Sequence, residues 1–146
     1  MKKRPRDDIL FAVMSMDSRL FAESRETVER VIAFARDKAF QVEGVDLSPC
    51  YQREKNRAFM AKWHLLGEDL LWVLARLRPE EYWRTSKEVG KEDAHIFSVQ
   101  CPGVEEEIYL KFEIVEGVLV LSFHEPDRPM EGFPFRKRKD QGGKKR

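Results

Sequence analysis

The sequence lacks the features that would place it in several common classes of protein. It has no apolar run near the roughly 18 residues of a membrane-spanning helix, and its basic start is followed by Asp7 and Asp8 rather than by the apolar stretch of a secretion signal. Its two cysteines, Cys50 and Cys101, stand far apart and outside any Cys-x-x-Cys pair. That spacing favours reduced, packed thiols over a disulfide or a zinc site. No phosphate-binding glycine loop or nucleophile triad occurs. We therefore expect a soluble, cytoplasmic protein.

Charge is what the sequence has in abundance. The chain of 146 residues is 42% hydrophobic and 36% charged, which suits a single domain with a very polar surface. The formal net charge of +1 hides an asymmetry, because residues 136–146 hold seven bases and one acid and leave 20 bases and 25 acids in residues 1–135. A partly disordered, solubilising tail is the favoured interpretation of residues 126–146. The alternative is an electrostatic arm for nucleic acid.

The clearest local pattern lies in residues 106–125, where apolar and polar residues alternate on both sides of Glu116-Gly117. This pattern predicts a β-hairpin with a two-residue type I′ loop, in which both central residues have positive φ. The predicted register pairs Ile114, Phe112 and Leu110 with Leu119, Leu121 and Phe123 on the core face. It pairs Tyr109, Lys111 and Glu113 with His124, Ser122 and Val120 on the other face, so that polar groups share one surface.

The rest of the chain predicts helices and short strands. Ser24 is a good N-cap for an amphipathic helix to about Lys38, and residues 40–45 alternate as a short strand. Helices are expected over residues 53–66 and 70–77, separated by Gly67, with a buried stripe of Leu66, Leu70, Val73, Leu74 and Leu77. Residues 79–84 are expected to form one short turn after Pro79, and residues 94–100 a strand. The apolar run at residues 9–16 fits either a helix or a strand, and we favour the helix.

Several of these residues together carry a resemblance to a known family. The chain resembles the MqsR family of toxin endoribonucleases in the order and spacing of three segments. These are Leu77-x-x-x-x-Tyr82-Trp83-Arg84, Ile108-Tyr109-Leu110-Lys111 and the segment Val-Leu-Ser-Phe-His-Glu at residues 120–125. Those proteins are the toxins of bacterial toxin–antitoxin pairs. The similarity covers about residues 26–125 and is strongest in its last fifty residues. It therefore implies an N-terminal extension at residues 1–25, one domain at 26–125 and a tail at 126–146.

The resemblance implies a fold, an activity and a partner. The fold is α+β and similar to that of RelE-type toxins: an antiparallel sheet that ends in a C-terminal hairpin, with helices packed on one face. The implied activity is cleavage of single-stranded mRNA without a metal or cofactor, and the implied partner is a cognate antitoxin protein. Carried over by position, the family's catalytic residues match Arg84, Tyr109 and His124. The family's glutamine has no counterpart here, since Ser98 or Ile96 falls at its place.

The residues themselves are chemically suited to this reaction. Cleavage of RNA by its own 2′-hydroxyl needs a proton acceptor, a cation for the charged phosphorane and an acid for the leaving oxygen. Histidine titrates near neutral pH, so His124 could serve as acid or base. Lys111 and Arg84 could clamp the phosphate, and Tyr109 could orient the 2′-hydroxyl or donate to the phosphate. Ser98 and Ser122 are the further candidates for substrate binding.

Each candidate also has a purely structural interpretation. Tyr109 is typical of cross-strand packing, Lys111 of a charged sheet edge, and Arg84 of an ion pair with Glu80 or Glu81. Trp63, Trp72 and Trp83 are typical of core or rim positions. His64 and Glu68 stand four apart, but Gly67 interrupts the helix and no third ligand follows, so no metal site is predicted.

A second function is compatible with the same residues. A non-catalytic relative would keep the sheet as a protein-binding or RNA-binding surface. The acidic body, the missing glutamine and the basic extensions favour this alternative.

Overall fold

The computed structural model describes residues 20–136, so the apolar run at residues 9–16 and the basic residues after Arg136 lie outside the described residues. The chain forms an α+β fold around one six-stranded sheet in the order β1-β3-β4-β5-β6-β2. The strands are β1 Leu20–Phe21, β2 Val45–Asp46, β3 Tyr82–Ser86, β4 Ala94–Val99, β5 Ile108–Val115 and β6 Gly117–His124. The helices are α1 Arg25–Lys38, α2 Ser48–Gln52, α3 Glu54–Lys62 and α4 Gly67–Leu74, followed by a 3₁₀ turn at Pro79–Glu81.

The predicted antiparallel sheet is wrong at one edge, because the sheet is mixed. β2 pairs with β6 in parallel, whereas the neighbours from β1 to β6 are all antiparallel. The Gly44 carbonyl accepts a hydrogen bond of 3.0 Å from the Val118 amide, which joins β2 to the start of β6. A β-carbon at Gly117 would lie 2.6 Å from the Gly44 oxygen, so this close approach requires glycine. The parallel edge depends on that tertiary contact, which no local pattern reveals.

Helix α1 confirms its predicted boundaries. The Ser24 hydroxyl accepts a hydrogen bond of 3.2 Å from the Thr27 amide and so caps the helix N-terminus. Val28, Ile32 and Ala35 form its buried stripe. No helix within residues 20–136 is long and apolar enough to cross a membrane.

The hydrophobic core lies between the helices and one face of the sheet. The fully buried side chains from the sheet include Tyr82, Phe97, Ile108, Leu110, Phe112 and Phe123. Those from the helical side include Val28, Ala35, Leu70, Leu74 and Leu77. Cys50 and Cys101 are free and buried, as the sequence predicts, and burial raises the pKa of the Cys50 thiol to about 11.

Three predicted elements have different limits. The strand expected at residues 40–45 is reduced to β2, because Phe40 and Val42 lie in a turn and are 79% and 92% exposed. Leu66 is 62% exposed and stands at the N-cap of α4, where its amide donates to the Asp69 carboxylate. The turn expected at residues 79–84 ends at Glu81. Tyr82 is buried in the core, and β3 begins at this residue and continues to Ser86.

The hairpin is present, but its register is right at one end only. The predicted pairs Tyr109–His124, Leu110–Phe123 and Lys111–Ser122 are confirmed. Nearer the tip, Phe112 pairs with Val120, Glu113 with Leu119 and Ile114 with Val118. The loop is one residue shorter than predicted, with Glu116 alone between the strands at a φ of 68°. A β-bulge at Leu121 absorbs the difference, so Val118 and Val120 enter the core in place of Leu119 and Leu121.

The predicted division into an extension, a domain and a tail stays a prediction. Two residues assigned to the extension, Leu20 and Phe21, pair with β3. Phe135, assigned to the tail, stacks on the buried Tyr82 ring at 5.9 Å.

Candidate functional site

A cavity of about 510 Å³ lies on the sheet face that the helices leave uncovered. Residues 125–136, here called the strap, follow β6 and supply one wall of it. The polar side chains of the lining are Tyr109, Ser122, His124, Asp127 and Arg128. The apolar ones are Leu20, Trp83, Pro126, Pro129 and Met130. The cavity has the size of a small-molecule or nucleotide pocket.

Tyr109 and His124 form the centre of the polar half. They face each other across β5 and β6, and their rings stack with centroids 5.3 Å apart and planes 13° from parallel. Burial raises the pKa of the Tyr109 phenol, and the negative charge of Asp127 raises it further. The phenol is therefore protonated at neutral pH and acts as a hydrogen-bond donor.

The hydrogen bond of His124 defines which ring nitrogen is available. Its Nδ1 lies 2.7 Å from the carbonyl oxygen of Glu125. A carbonyl oxygen only accepts hydrogen bonds, so Nδ1 must carry the proton. In the neutral imidazole Nε2 is then unprotonated, and this nitrogen can accept a proton from a bound molecule.

The position of His124 depends on the bulge at Leu121 and on one buried amide. The Asn56 side chain, fully buried on α3, donates to the carbonyl of Leu121 at 3.0 Å and accepts from the Phe123 amide at 2.9 Å. It also donates to the Cys50 carbonyl at 2.9 Å. Asn56 thus bonds the edge of β6 beyond the point where β2 ends, as the backbone of a parallel strand would. This contact fixes the backbone on both sides of Ser122 and immediately before His124.

Charged groups from the strap border the Tyr109–His124 pair. Asp127 forms an ion pair with Lys55 of α3. The hydrogen bond that the Lys55 ammonium donates to Asp127, together with the charge of Lys55, lowers the pKa of Asp127. His124 and Arg128 make smaller contributions in the same direction. Arg128 is exposed and, among the described residues that line the cavity, carries the sole permanent positive charge. A bound anion would therefore meet the guanidinium of Arg128.

Arg84 lies outside this cavity. Its Nη1 donates to the carbonyls of Trp83 at 2.7 Å and of Gly132 at 2.8 Å, so it fastens the strap to β3. The ion pair anticipated at residues 80 and 81 is formed instead by Arg78 with Glu81.

The structure also separates the other predicted binding residues. Ser122 lines the cavity with Tyr109 and His124. Ser98 shares their row of the sheet, but its hydroxyl donates to Glu107. Lys111 lines a separate depression of about 100 Å³, together with Arg53, Glu88, Glu113 and the bulged Leu121. Burial lowers the pKa of Lys111, and the charge of Glu88 partly opposes this effect.

Sequence reasoning missed four residues of the site. Asp127 and Arg128 follow the hairpin in a proline-containing segment that carries no periodic pattern. Trp83 is of a residue type typical of core positions, and Asn56 is a polar residue among the charged residues at the start of a short helix. Only the proximity of the strap to the sheet and of α3 to β6 identifies them.

The described part of the chain contains no group of three or more His, Cys, Asp or Glu side chains placed to hold a metal ion. No protein-family model matches the sequence, and neither the curated proteins nor the solved structures include one that is significantly similar to this chain.

Proposed function

We propose that this protein is a metal-independent endoribonuclease that cleaves single-stranded mRNA, of the MqsR or RelE type, and that a cognate antitoxin protein restrains it. The observation that carries the proposal is the pairing of an available imidazole nitrogen on His124 with a neutral phenol on Tyr109 inside one open cavity. The motif resemblance supplies the further expectation of a toxin–antitoxin pair.

The proposed reaction needs no group beyond those in the cavity. Nε2 of His124 accepts the proton of the ribose 2′-hydroxyl, and the 2′-oxygen attacks the adjacent phosphorus. The bond between phosphorus and the 5′-oxygen breaks, and Tyr109 gives its phenol proton to the departing oxygen. The imidazolium then returns a proton to the stacked phenolate, so both side chains regain their initial states. The products are a 2′,3′-cyclic phosphate and a 5′-hydroxyl.

Arg128 takes the role of the phosphate-binding cation in this scheme, because Arg84 and Lys111 lie elsewhere. A guanidinium matches the geometry of phosphate oxygens and stabilises the charge that develops on the phosphorane. The requirement for a 2′-hydroxyl restricts the reaction to RNA.

The test is cleavage of a single-stranded RNA by the purified protein in the presence of EDTA. We expect products with cyclic phosphate ends, and we expect Tyr109→Phe and His124→Ala each to lower the rate by about 100-fold or more. Tyr51→Phe and His64→Asn are matched controls, since both side chains lie outside the cavity. Asn tolerates the positive φ of 55° at position 64. Cleavage that survives in both cavity variants would contradict the proposal.

A second candidate function is a non-catalytic protein-binding or RNA-binding role for the same sheet face. The observation in its favour is that both predicted phosphate-binding cations, Arg84 and Lys111, lie away from the cavity. Absence of cleavage by the parent protein, with retained binding of RNA or of a partner protein at this face, would select this role.

A further inference from the structure

The apolar half of the cavity has no part in the cleavage chemistry proposed above. It contains one aromatic ring, that of Trp83, beside Pro126, Pro129 and Met130 from the strap. A site for a phosphodiester alone would need cations and donors rather than an indole. This half of the cavity therefore calls for a ligand that also has a flat, apolar part.

A β-bulge in β3 lies at Trp83, which lines the cavity. Tyr82 pairs with Phe97 and Arg84 pairs with Ile96, so Trp83 is the extra residue of β3. Bulges change the direction of a side chain relative to the regular alternation of a strand. Tyr82 is buried in the core, and the bulge allows the next two residues, Trp83 and Arg84, to lie together on the opposite face of the sheet.

The indole is held in a fixed orientation. Its Nε1 donates a hydrogen bond of 2.7 Å to the carbonyl of Glu131, and the Arg84 guanidinium lies over the ring, 5.4 Å from its centroid. Part of the indole surface is thus covered by the guanidinium, and another part borders the cavity. The single donor of the indole is already used, so the surface that remains offers stacking rather than hydrogen bonding.

We infer that Trp83 is the platform on which an unpaired nucleobase stacks, while the phosphodiester attached to that nucleotide lies beside Tyr109, His124 and Arg128. This inference rests on the proposed function and adds the recognition of a splayed-out, single-stranded nucleotide. Stacking on an indole tolerates every base, because each base has a π face. Double-stranded RNA is excluded, because its bases are stacked within the helix and cannot reach the ring.

The test uses fluorescein-labelled single-stranded hexanucleotides with 2′-O-methyl riboses, which cannot be cleaved by their own 2′-oxygen. Each is compared with an all-abasic backbone of the same length and charge, at one salt concentration. For the parent protein we expect binding to the base-bearing oligonucleotide to be roughly 5- to 150-fold tighter than to the abasic one. Trp83→Ala is expected to remove this preference, and Trp83→Phe to retain most of it.

Trp72→Ala is the matched control. Trp72 is also partly exposed, with the Arg76 guanidinium over its ring at 4.2 Å, but it lies on α4 outside the cavity. Its loss should leave the preference for bases unchanged. A variant that merely damaged the fold would weaken binding to both oligonucleotides equally, whereas loss of stacking weakens binding to the base-bearing one alone.

The outcomes separate this inference from the proposed function. Cleavage of RNA together with a base preference that persists in Trp83→Ala would overturn the role of Trp83 and leave the endoribonuclease standing. A base preference that depends on Trp83, in a protein that cleaves no RNA, would support the platform and overturn the nuclease. Binding of a protein partner at this face without any binding of either oligonucleotide would overturn both.

Discussion

His95 is a titratable residue buried on the helix-facing side of β4. Its Nδ1 lies 3.1 Å from the Thr85 hydroxyl, which in turn lies 2.7 Å from the Tyr82 hydroxyl. Its ring also contacts Phe112 edge-on, with centroids 6.0 Å apart. Four charged residues line a surface depression together with His95: Lys87, Lys91, Glu92 and Asp93. Burial lowers the pKa of His95 below its usual 6.5, and the charge of Asp93 partly opposes this shift.

This burial predicts a loss of stability in mild acid. Because the unfolded chain binds the His95 proton at a higher pH than the folded chain does, protonation favours unfolding. The contribution of the neutral ring is fully present above pH 6.5 and is lost as the pH falls below that value. We expect the difference in free energy of unfolding between the parent and His95→Gln to be constant above about pH 7 and to change in favour of the variant toward pH 5. Urea titrations across this range measure it, and parallel curves would contradict the prediction.

At the scale of the elements, Asn56 joins α3 to the bulged part of β6. One carboxamide satisfies two carbonyls and one amide, and all three would lose their partner if it were removed. A buried asparagine in this position also specifies the register, since its donor and acceptor match only one placement of Leu121 and Phe123. The placement of His124 in the cavity therefore depends on α3 as well as on the hairpin.

Replacing Asn56 is expected to destabilise the protein and to displace His124. Asn56→Ala should lower the free energy of unfolding by about 2–4 kcal/mol, because buried backbone groups would be left unsatisfied. Asn56→Asp keeps the shape but cannot donate to the two carbonyls when ionised, so it should be destabilising at neutral pH and less so in acid. Urea denaturation measures the stability of both variants. Gln52→Ala, which removes an exposed amide, is the control. A loss no greater than that of the control would show that the bulge does not need this amide.

At the scale of the whole molecule, the strap turns an open sheet face into a cavity. It is attached by the Asp127–Lys55 ion pair, by the hydrogen bonds of Trp83 and Arg84, and by Phe135. The Phe135 ring packs on Tyr82 and beneath the Arg25 guanidinium, 5.5 Å away, so it also ties the strap to the start of α1. An exposed ion pair contributes little to stability. Among the hydrophobic residues of the strap, Phe135 is the one that packs against the buried core, so its ring is the apolar anchor of this segment.

Phe135→Ala is expected to loosen the strap. The half-buried ring should contribute about 1–2 kcal/mol to the free energy of unfolding, measured by urea denaturation. Phe135→Leu should retain most of this, and Phe40→Ala, at a ring that is 79% exposed, should change little. Loosening should also make Trp83 more accessible to acrylamide quenching in Phe135→Ala than in the parent. Unchanged quenching would mean that the strap is held without this ring.

Local periodicity and local caps were enough to predict several elements of this fold. The stripe of α1 with its Ser24 cap and the hairpin with Tyr109 opposite His124 follow from contacts between near neighbours in the chain. Such contacts leave a pattern in the spacing of apolar and capping residues along the chain, and this pattern predicts the element.

Three features depend on contacts between distant parts of the chain: the parallel edge strand, the two bulges and the partners of each polar residue. Gly44 over Gly117, Asn56 against β6 and the strap across Trp83 join residues far apart in the chain. Once the sheet has formed, a side chain from another segment can hydrogen-bond to its unpaired backbone groups or pack on its uncovered apolar surface. Because these partners come from distant segments, the sequence does not show that Arg84 binds the strap or that Arg128 lines the cavity.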